Sequence, residues 1–380
     1  MHIVVLETEP SSRRGGQELS LLDVCHGLAE RGCEITFVYT EPGNLLPDYK
    51  AFCNACYQVS AYRFYPRRSL SSLWTLGRDI FKIPLMPDSI IYSNQYHDSV
   101  FGAAFARLRR IPFVCHLRVP PGLPLGIQWS WSMGQTNRLI AVSEQTRTDW
   151  QTAGFGHKPI DVVYNAIDTE KFQPSLNLQK YRDRWGLSIG DRVIAYVGRL
   201  DRVKGIETLL QAFAQVAQEN ARGAGDISFH LLIAGKPLRC DETYEASLKQ
   251  LATALGIAEQ IHFLGHVDDP RWVYHASDLV VLPSHWPEPF GRVLIEGMAC
   301  GVPAIGSAVG GIPEVLRGLD YPALFAPEDV EALAERISDV IHWRSRCPDW
   351  SDRCRRYVQS QFPLEKTITG IQASLHQVLV

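Results

Sequence analysis

The sequence predicts an α/β protein built from two doubly wound parallel-sheet domains, and three observations carry that prediction. Short β-branched runs alternate with helical patterns from one end of the chain to the other. The strand runs are apolar throughout, as strands covered on both faces must be, instead of alternating apolar with polar. The length of 380 residues suits two domains at about 100–200 residues each.

In the first half the strand-like runs are 3–6, 34–39, 58–62, 90–93, 113–117, 139–142 and 162–165. Between them lie helical stretches, clearest over 18–31, where Leu19, Leu22, Leu28 and Ala29 recur at helical spacing and Gly32 ends the run. The second half repeats the scheme, with strands at 193–197, 229–233, 262–264, 279–282 and 304–305 and helices such as 205–218 and 245–255. Parallel neighbours need right-handed crossovers, so each half should be a doubly wound sandwich. The break falls in 168–191, which holds Pro174, Asn177 and Gly190 and no strand pattern. The expected organisation is a first domain over 1–172, a linker over 173–190, a second domain over 191–363 and a closing helix over 364–380. That last segment carries Ile368, Ile371, Leu375 and Leu379 at helical spacing. Two such domains facing each other would enclose a cleft, with ligands beyond the carboxyl ends of the strands.

Composition narrows the function. The chain is 46% hydrophobic and 21% charged with a formal net charge of −3, an ordinary globular balance without the basic field of nucleic-acid binders. Met1–Glu7 reads as a strand and not as a secretory leader, and no run approaches 18 apolar residues. Nine cysteines without framework spacing fit reduced thiols. The expected location is cytoplasmic. The segment Arg63–Lys82 mixes cations with aromatics; it reads as a surface helix, with an interfacial segment and peripheral membrane contact as the alternative.

Three motifs follow predicted strands. Gly15-Gly16 leads into the first helix and would let backbone N–H groups approach a phosphate or sugar, or else is a tight βα turn. Arg199 and Lys204 stand five apart on the loop entering a helix of the second half. Cations there reinforce the positive helix end, which suits a bound diphosphate; the alternative is two solvated charges. The third motif is the strongest: Ser284-His285-Trp286-Pro287-Glu288-Pro289-Phe290-Gly291-Arg292-Val293-Leu294-Ile295-Glu296. Prolines keep Glu288 off a helix, whereas Glu296 falls in a helical apolar pattern, where an unpaired carboxylate is costly. The alternative of two ordinary surface glutamates sits badly with that frame.

Taken together, this E-x7-E pair, the R-x4-K loop, Gly15-Gly16, Asn165-Ala166-Ile167-Asp168 and Gly310-Gly311-Ile312-Pro313-Glu314 resemble glycosyltransferase family four over essentially the whole chain. The resemblance implies the GT-B fold and a retaining sugar transfer from a nucleotide diphosphate donor, UDP before GDP or ADP, with no cofactor and no required metal. It implies Arg199 and Lys204 on the donor diphosphate, Glu296 on the ribose hydroxyls and Glu288 near the transferred sugar. Phe290, Gly291, Arg292 and Val293 would offer backbone N–H groups, Val267 would line the base and Gly16, beside Gly15, would approach the phosphates. His116 would face the sugar or simply pack with a hydrogen bond. Asn94 and Arg118 would flank the acceptor, a glycan, a lipid-linked sugar or a small molecule. Retention can arise by double displacement through Glu288 or by front-face attack, and the family resemblance favours the second. Two departures from the pattern stand out: Gly235-Lys236-Pro237 replaces a Gly-x-Gly, and Asn94 replaces a histidine.

Other readings are a nucleotide-sugar epimerase of the same fold, a non-catalytic nucleotide-sugar binding protein, and an NAD dehydrogenase, the last disfavoured by the missing dinucleotide fingerprint. Cys53-Asn54-Ala55-Cys56 precedes a predicted strand and has no second pair at zinc spacing. The uncharged run 119–124, leading to Trp129 and Trp131, is a cleft loop or a stiff connector.

Overall fold

The computed structural model describes residues 1–63, 69–222, 227–237 and 242–379. The chain divides into two compact units, Met1–Ala166 with Leu364–Val380, and Ile167–Pro363.

Unit 1 holds seven parallel strands: β1 (His2–Glu7), β2 (Glu34–Tyr39), β3 (Ala55–Gln58), β4 (Ser89–Ser93), β5 (Phe113–Leu117), β6 (Arg138–Ala141) and β7 (Ile160–Val162). Their order is β3-β2-β1-β4-β5-β6-β7. The order in which strands are added reverses between β1 and β4, the switch point where ligands of doubly wound sheets gather. The apolar strands find partners on both faces. Ile3 and Val5 of β1 pack in one core with Leu21, Val24 and Leu28 of the helix Gly16–Glu30 and with Ile368, Ile371 and Leu375 of the helix Leu364–His376. Val4 and Leu6 enter the opposite core with Ile80, Phe101, Phe105 and Trp150.

Unit 2 repeats the design with six parallel strands: β8 (Arg192–Val197), β9 (Phe229–Ala234), β10 (Ile261–Gly265), β11 (Leu279–Leu282), β12 (Ala304–Ser307) and β13 (Leu324–Phe325). The order β10-β9-β8-β11-β12-β13 puts its switch point between β8 and β11. Each unit is the doubly wound sandwich that the strand–helix alternation predicts.

Several boundaries differ from expectation. The third strand is Ala55–Gln58 and not 58–62, because Asn54 starts the pairing early: its N–H bonds Ile35 O at 2.9 Å and its Oδ1 accepts Ile35 N–H at 2.7 Å. Cys56 therefore lies inside the strand that the Cys pair was expected to precede, and Tyr62 is a core residue whose hydroxyl bonds Val38 O at 2.5 Å. The seventh strand ends at Val162, before the predicted 162–165. The strand Leu324–Phe325 has no counterpart in the sequence reading, since two residues give no periodicity. Residues 173–190 belong to unit 2. They carry the helix Leu178–Arg182, and the buried Arg182 forms an ion pair with Asp278 at 2.7 Å. A polar stretch without strands had the look of a linker, yet a buried arginine ties it to the sheet. Residues 64–68 of the Arg63–Lys82 segment lie outside the described residues.

Candidate functional site

The carboxyl edge of the unit 2 sheet collects the motifs of the second half. Beyond β8, the chain runs through Arg199 and a 3-10 turn, Arg202–Lys204, into the helix Ile206–Arg222. Asp201 caps that turn, its side chain accepting Val203 N–H. Beyond β11, Glu288 lies between Pro287 and Pro289 outside any helix, as the sequence requires. The backbone around Glu288 is fixed by Gly311 N–H, which donates to Glu288 O at 2.7 Å. Gly310, at φ +58, has to be glycine, because a Cβ there would overlap the Glu288 backbone.

Lys204 and Glu288 meet in an ion pair, with each side chain less than a fifth exposed. Arg199 is half-buried on the same loop, and no hydrogen-bond or ion-pair partner of its guanidinium is found among the described residues. Its carbonyl accepts the Tyr196 hydroxyl at 2.7 Å. Gly198 N–H donates to Ala234 O at 2.9 Å and Gly235 N–H to Gly265 O at 2.7 Å, stitching the ends of β8, β9 and β10 into one rim. Val267, half-buried, lies just past that rim.

Glu296 sits one helical turn beyond Arg292 on the helix Arg292–Ala299, which begins after Gly291 at φ +90. Burial of Leu294, Ile295 and Met298 draws Glu296 under with them, to 5% exposure. Its carboxylate is not orphaned: Oε1 accepts Arg292 Nε–H at 2.8 Å and Oε2 accepts the Tyr274 hydroxyl at 2.7 Å. Burial and this carboxylate push the Tyr274 phenol well above its ordinary range, so it stays a donor. Phe290 is buried against Phe362, ring centroids 5.5 Å apart, and Val293 is half-buried in the first helical turn. The buried Ser284 hydroxyl, just beyond β11, has no partner among the described residues.

Unit 1 presents a different edge. Gly15 is the N-cap of the first helix and Gly16 its first residue. Asn94, one residue past β4, donates its Nδ2–H to Glu7 at 2.5 Å and accepts Arg118 Nε–H at 3.0 Å. Arg118 also donates to Asn165 Oδ1. Asn94 and Arg118, expected as cleft-edge contacts, are thus members of a buried network. His116 is fully buried; its Nδ1 bonds the Tyr92 hydroxyl at 2.6 Å, and its Nε2 has no partner among the described residues. Burial and the neighbouring Arg118 hold the imidazole well below its ordinary value, in the neutral form.

Three buried carboxyls at this edge escaped the sequence reading: Glu7, Glu18 and Asp98. Burial, and then the charge of Glu7, push Glu18 up to about 8. Thr8 donates to Asp98 at 2.5 Å, and burial holds the Asp98 carboxyl well above the usual range. A signal for Glu18 was present, because it shares the helical spacing of the buried Leu21 and Cys25. Nothing local marks Tyr274, which lies 22 residues from its partner Glu296.

Residues 14–171 match the family model described as Glycosyltransferase Family 4, and residues 178–357 that described as Glycosyl transferases group 1. The N-acetyl-alpha-D-glucosaminyl L-malate synthase of Bacillus anthracis is 29% identical over 245 residues, 64% of this chain and 61% of that protein. The D-inositol 3-phosphate glycosyltransferase of Mycobacterium marinum is 35% identical over 185 residues, 48% of this chain and 37% of that protein. The alignments therefore span less than two thirds of these relatives. Among solved structures, Anabaena HepE in complex with UDP and glucose superposes with a TM-score of 0.83 at 22% identity, covering 98% of this chain and 99% of that one. Sucrose-phosphate synthase from Thermosynechococcus elongatus gives 0.80 at 22% identity, covering 99% and 98%. At these identities the structural likeness is one of fold.

Proposed function

The chain belongs to glycosyltransferase family four and has the two-domain GT-B fold, and on that premise we propose that it transfers a sugar from a nucleoside diphosphate donor, UDP by preference, to an acceptor hydroxyl. The observation that carries this reading is the Lys204–Glu288 ion pair at the carboxyl edge of the unit 2 sheet, with Arg199 on the same loop and Glu296 on the helix that follows Glu288. The UDP complex of HepE and the sugar-transfer names of the relatives support it.

In this account Arg199 and Lys204 neutralise the donor diphosphate. Glu296, oriented by Tyr274 and Arg292, has lone pairs left to accept the ribose hydroxyls. Glu288 stands by the transferred sugar, and Val267 with the rim of β8–β10 flanks the base. Phe290, Gly291, Arg292 and Val293 lead into the positive end of the helix Arg292–Ala299 and turn their backbone N–H groups towards sugar and phosphate. When the bond from the anomeric carbon to the phosphate oxygen breaks, its electron pair goes to the diphosphate and positive charge grows on the ring. Fixed cations matched to the departing charge lower the barrier by several kcal/mol, on the order of what a preorganised donor contributes elsewhere. The acceptor hydroxyl bonds to the anomeric carbon on the same face, and its proton passes to the departing phosphate oxygen. The configuration is retained, and neither a metal ion nor a further cofactor takes part.

The relatives named for L-malate and inositol 3-phosphate support a small hydroxylated acceptor. Incubation with UDP-, GDP- and ADP-sugars tests the reading: nucleoside diphosphate should be released from one of the three. The anomeric proton coupling of the product should equal that of the donor. No release from any donor would overturn the proposal, and an inverted product would overturn retention.

A further inference from the structure

The helix Ser69–Lys82 buries one face and leaves the other unusually apolar. Inward, Ile80 is fully buried, and the Asp79 carboxylate accepts Ser60 N–H at 2.7 Å. Arg109, from the last turn of the helix Ser99–Arg109, donates to Ile80 O at 3.4 Å and to Ile83 O at 3.2 Å. Outward stand Trp74, 69% exposed, Phe81, 66%, and Leu73, 54%. Trp74, Arg78 and Phe81 are spaced i, i+4, i+7 and therefore share a face. Burial drives large apolar groups inward, so two aromatics this open on a helix anchored so firmly call for a partner.

The charge around them says which partner. Arg78 lies over the Trp74 ring and Arg109 over Phe81, each 5.4 Å from the centroid. Lys82, Arg107 and Arg110 are exposed beside them, as is Leu108. Residues 61–110 contain eight lysines and arginines against three acids, in a chain whose net charge is −3. Asp79 and Asp98, two of those acids, are buried. Aromatic side chains with a rim of cations are suited to the boundary of an anionic lipid bilayer, where rings enter the headgroup layer and lysine and arginine meet lipid phosphates.

We propose that this face of unit 1, formed by Leu73, Trp74, Phe81 and Leu108 with Lys82, Arg107 and Arg110, docks the protein on an anionic membrane surface. The inference goes beyond the sugar-transfer reading and stands or falls apart from it.

The test is co-sedimentation of the full chain with vesicles of phosphatidylcholine alone or with about one third phosphatidylglycerol. Wild type should bind the anionic vesicles and release as salt rises. Trp74→Ser/Phe81→Ser should lower the partition coefficient about tenfold or more, since each ring removes a large apolar area from water. Lys82→Glu/Arg110→Glu should abolish the preference for anionic vesicles. Trp74→Ser alone, at the most open position, guards against misfolding of the double variant, and an unchanged melting temperature and circular dichroism spectrum certify each protein. Absence of binding to anionic vesicles at low salt would overturn the proposal. So would equal binding by all variants, or a concentration-dependent dimer that the Trp74 and Phe81 substitutions dissolve.

Discussion

Lys204 and Glu288, 84 residues apart in sequence, form an ion pair that joins the loop after β8 to the loop after β11. In a doubly wound sheet those two strands flank the switch point, so the pair marks where the ligand of this unit should lie. Under the proposed function a diphosphate arriving there would compete with Glu288 for Lys204, and donor binding would be coupled to the position of the Glu288 carboxylate.

That coupling makes Glu288→Gln informative. The amide keeps the size and a hydrogen-bond acceptor for Lys204 but removes the negative charge that the proposal sets beside the sugar. We expect kcat to fall about a hundredfold or more, as when a single preorganised group at a developing charge is lost. UDP should bind at least as well as to wild type. Steady-state kinetics beside UDP titration calorimetry checks this, and unchanged kcat would remove Glu288 from the chemistry.

Tyr274→Phe deletes one of the two donors that hold buried Glu296. Leaving a buried carboxylate short of a partner costs about 1–3 kcal/mol. The melting temperature should drop, and donor affinity should weaken severalfold if Glu296 holds the ribose as proposed, because its carboxylate is no longer fixed. The same titrations on this variant decide the matter; unchanged affinity would place Glu296 away from the ribose.

Glu18 predicts a pH effect with a definite sign. Its carboxyl has an ordinary value of 4.5 and is pushed up to about 8 in the folded chain. The native state therefore holds a proton that the unfolded state has lost between those values, and stability falls as pH rises through this window. Glu18→Gln cannot lose that proton. Its melting temperature relative to wild type should rise steadily from pH 5 to pH 8, as thermal melts at unit intervals would show, and a constant difference would contradict the assignment.

Asp278 anchors the amino edge of the unit 2 sheet. Its carboxylate, itself buried, takes the buried Arg182 at 2.7 Å, Val193 N–H at 2.8 Å and, reaching in from the surface, Arg344 at 2.6 Å. Asp278→Ala strands a buried guanidinium and should cost about 3–5 kcal/mol. Chemical denaturation of the variant should show a transition at markedly lower denaturant.

The sequence made the sheets legible because parallel strands buried on both faces leave uninterrupted apolar runs, as Ile3 to Leu6 and Leu279 to Leu282 do. It made Glu288 legible through its flanking prolines, and Glu296 through its place in an apolar helical pattern. What stayed hidden depends on chain segments far apart. Arg182 looks like a surface residue of a linker until Asp278 is placed beside it, and Tyr274 is an ordinary core aromatic until it meets Glu296. Asn94 and Arg118 were read as open contacts, whereas Glu7 and Asn165 draw them into a buried network. Arg63–Lys82 could be read as a surface helix, with an interfacial segment as the alternative, but composition does not say that Leu73, Trp74 and Phe81 are the side chains left outward.

The central claim, that unit 2 binds a nucleoside diphosphate through Arg199 and Lys204, is tested most directly by a thermal-shift panel. Wild type and Arg199→Ala/Lys204→Ala would be melted with UDP, GDP, ADP, CMP and NAD. A ligand at 100 times its dissociation constant adds about 2.7 kcal/mol to stability, a rise of several degrees for a domain of this size. The account predicts that UDP raises the melting temperature of wild type and leaves the double variant unmoved. A shift with NAD alone, no shift with any nucleotide, or equal shifts in both proteins would contradict it.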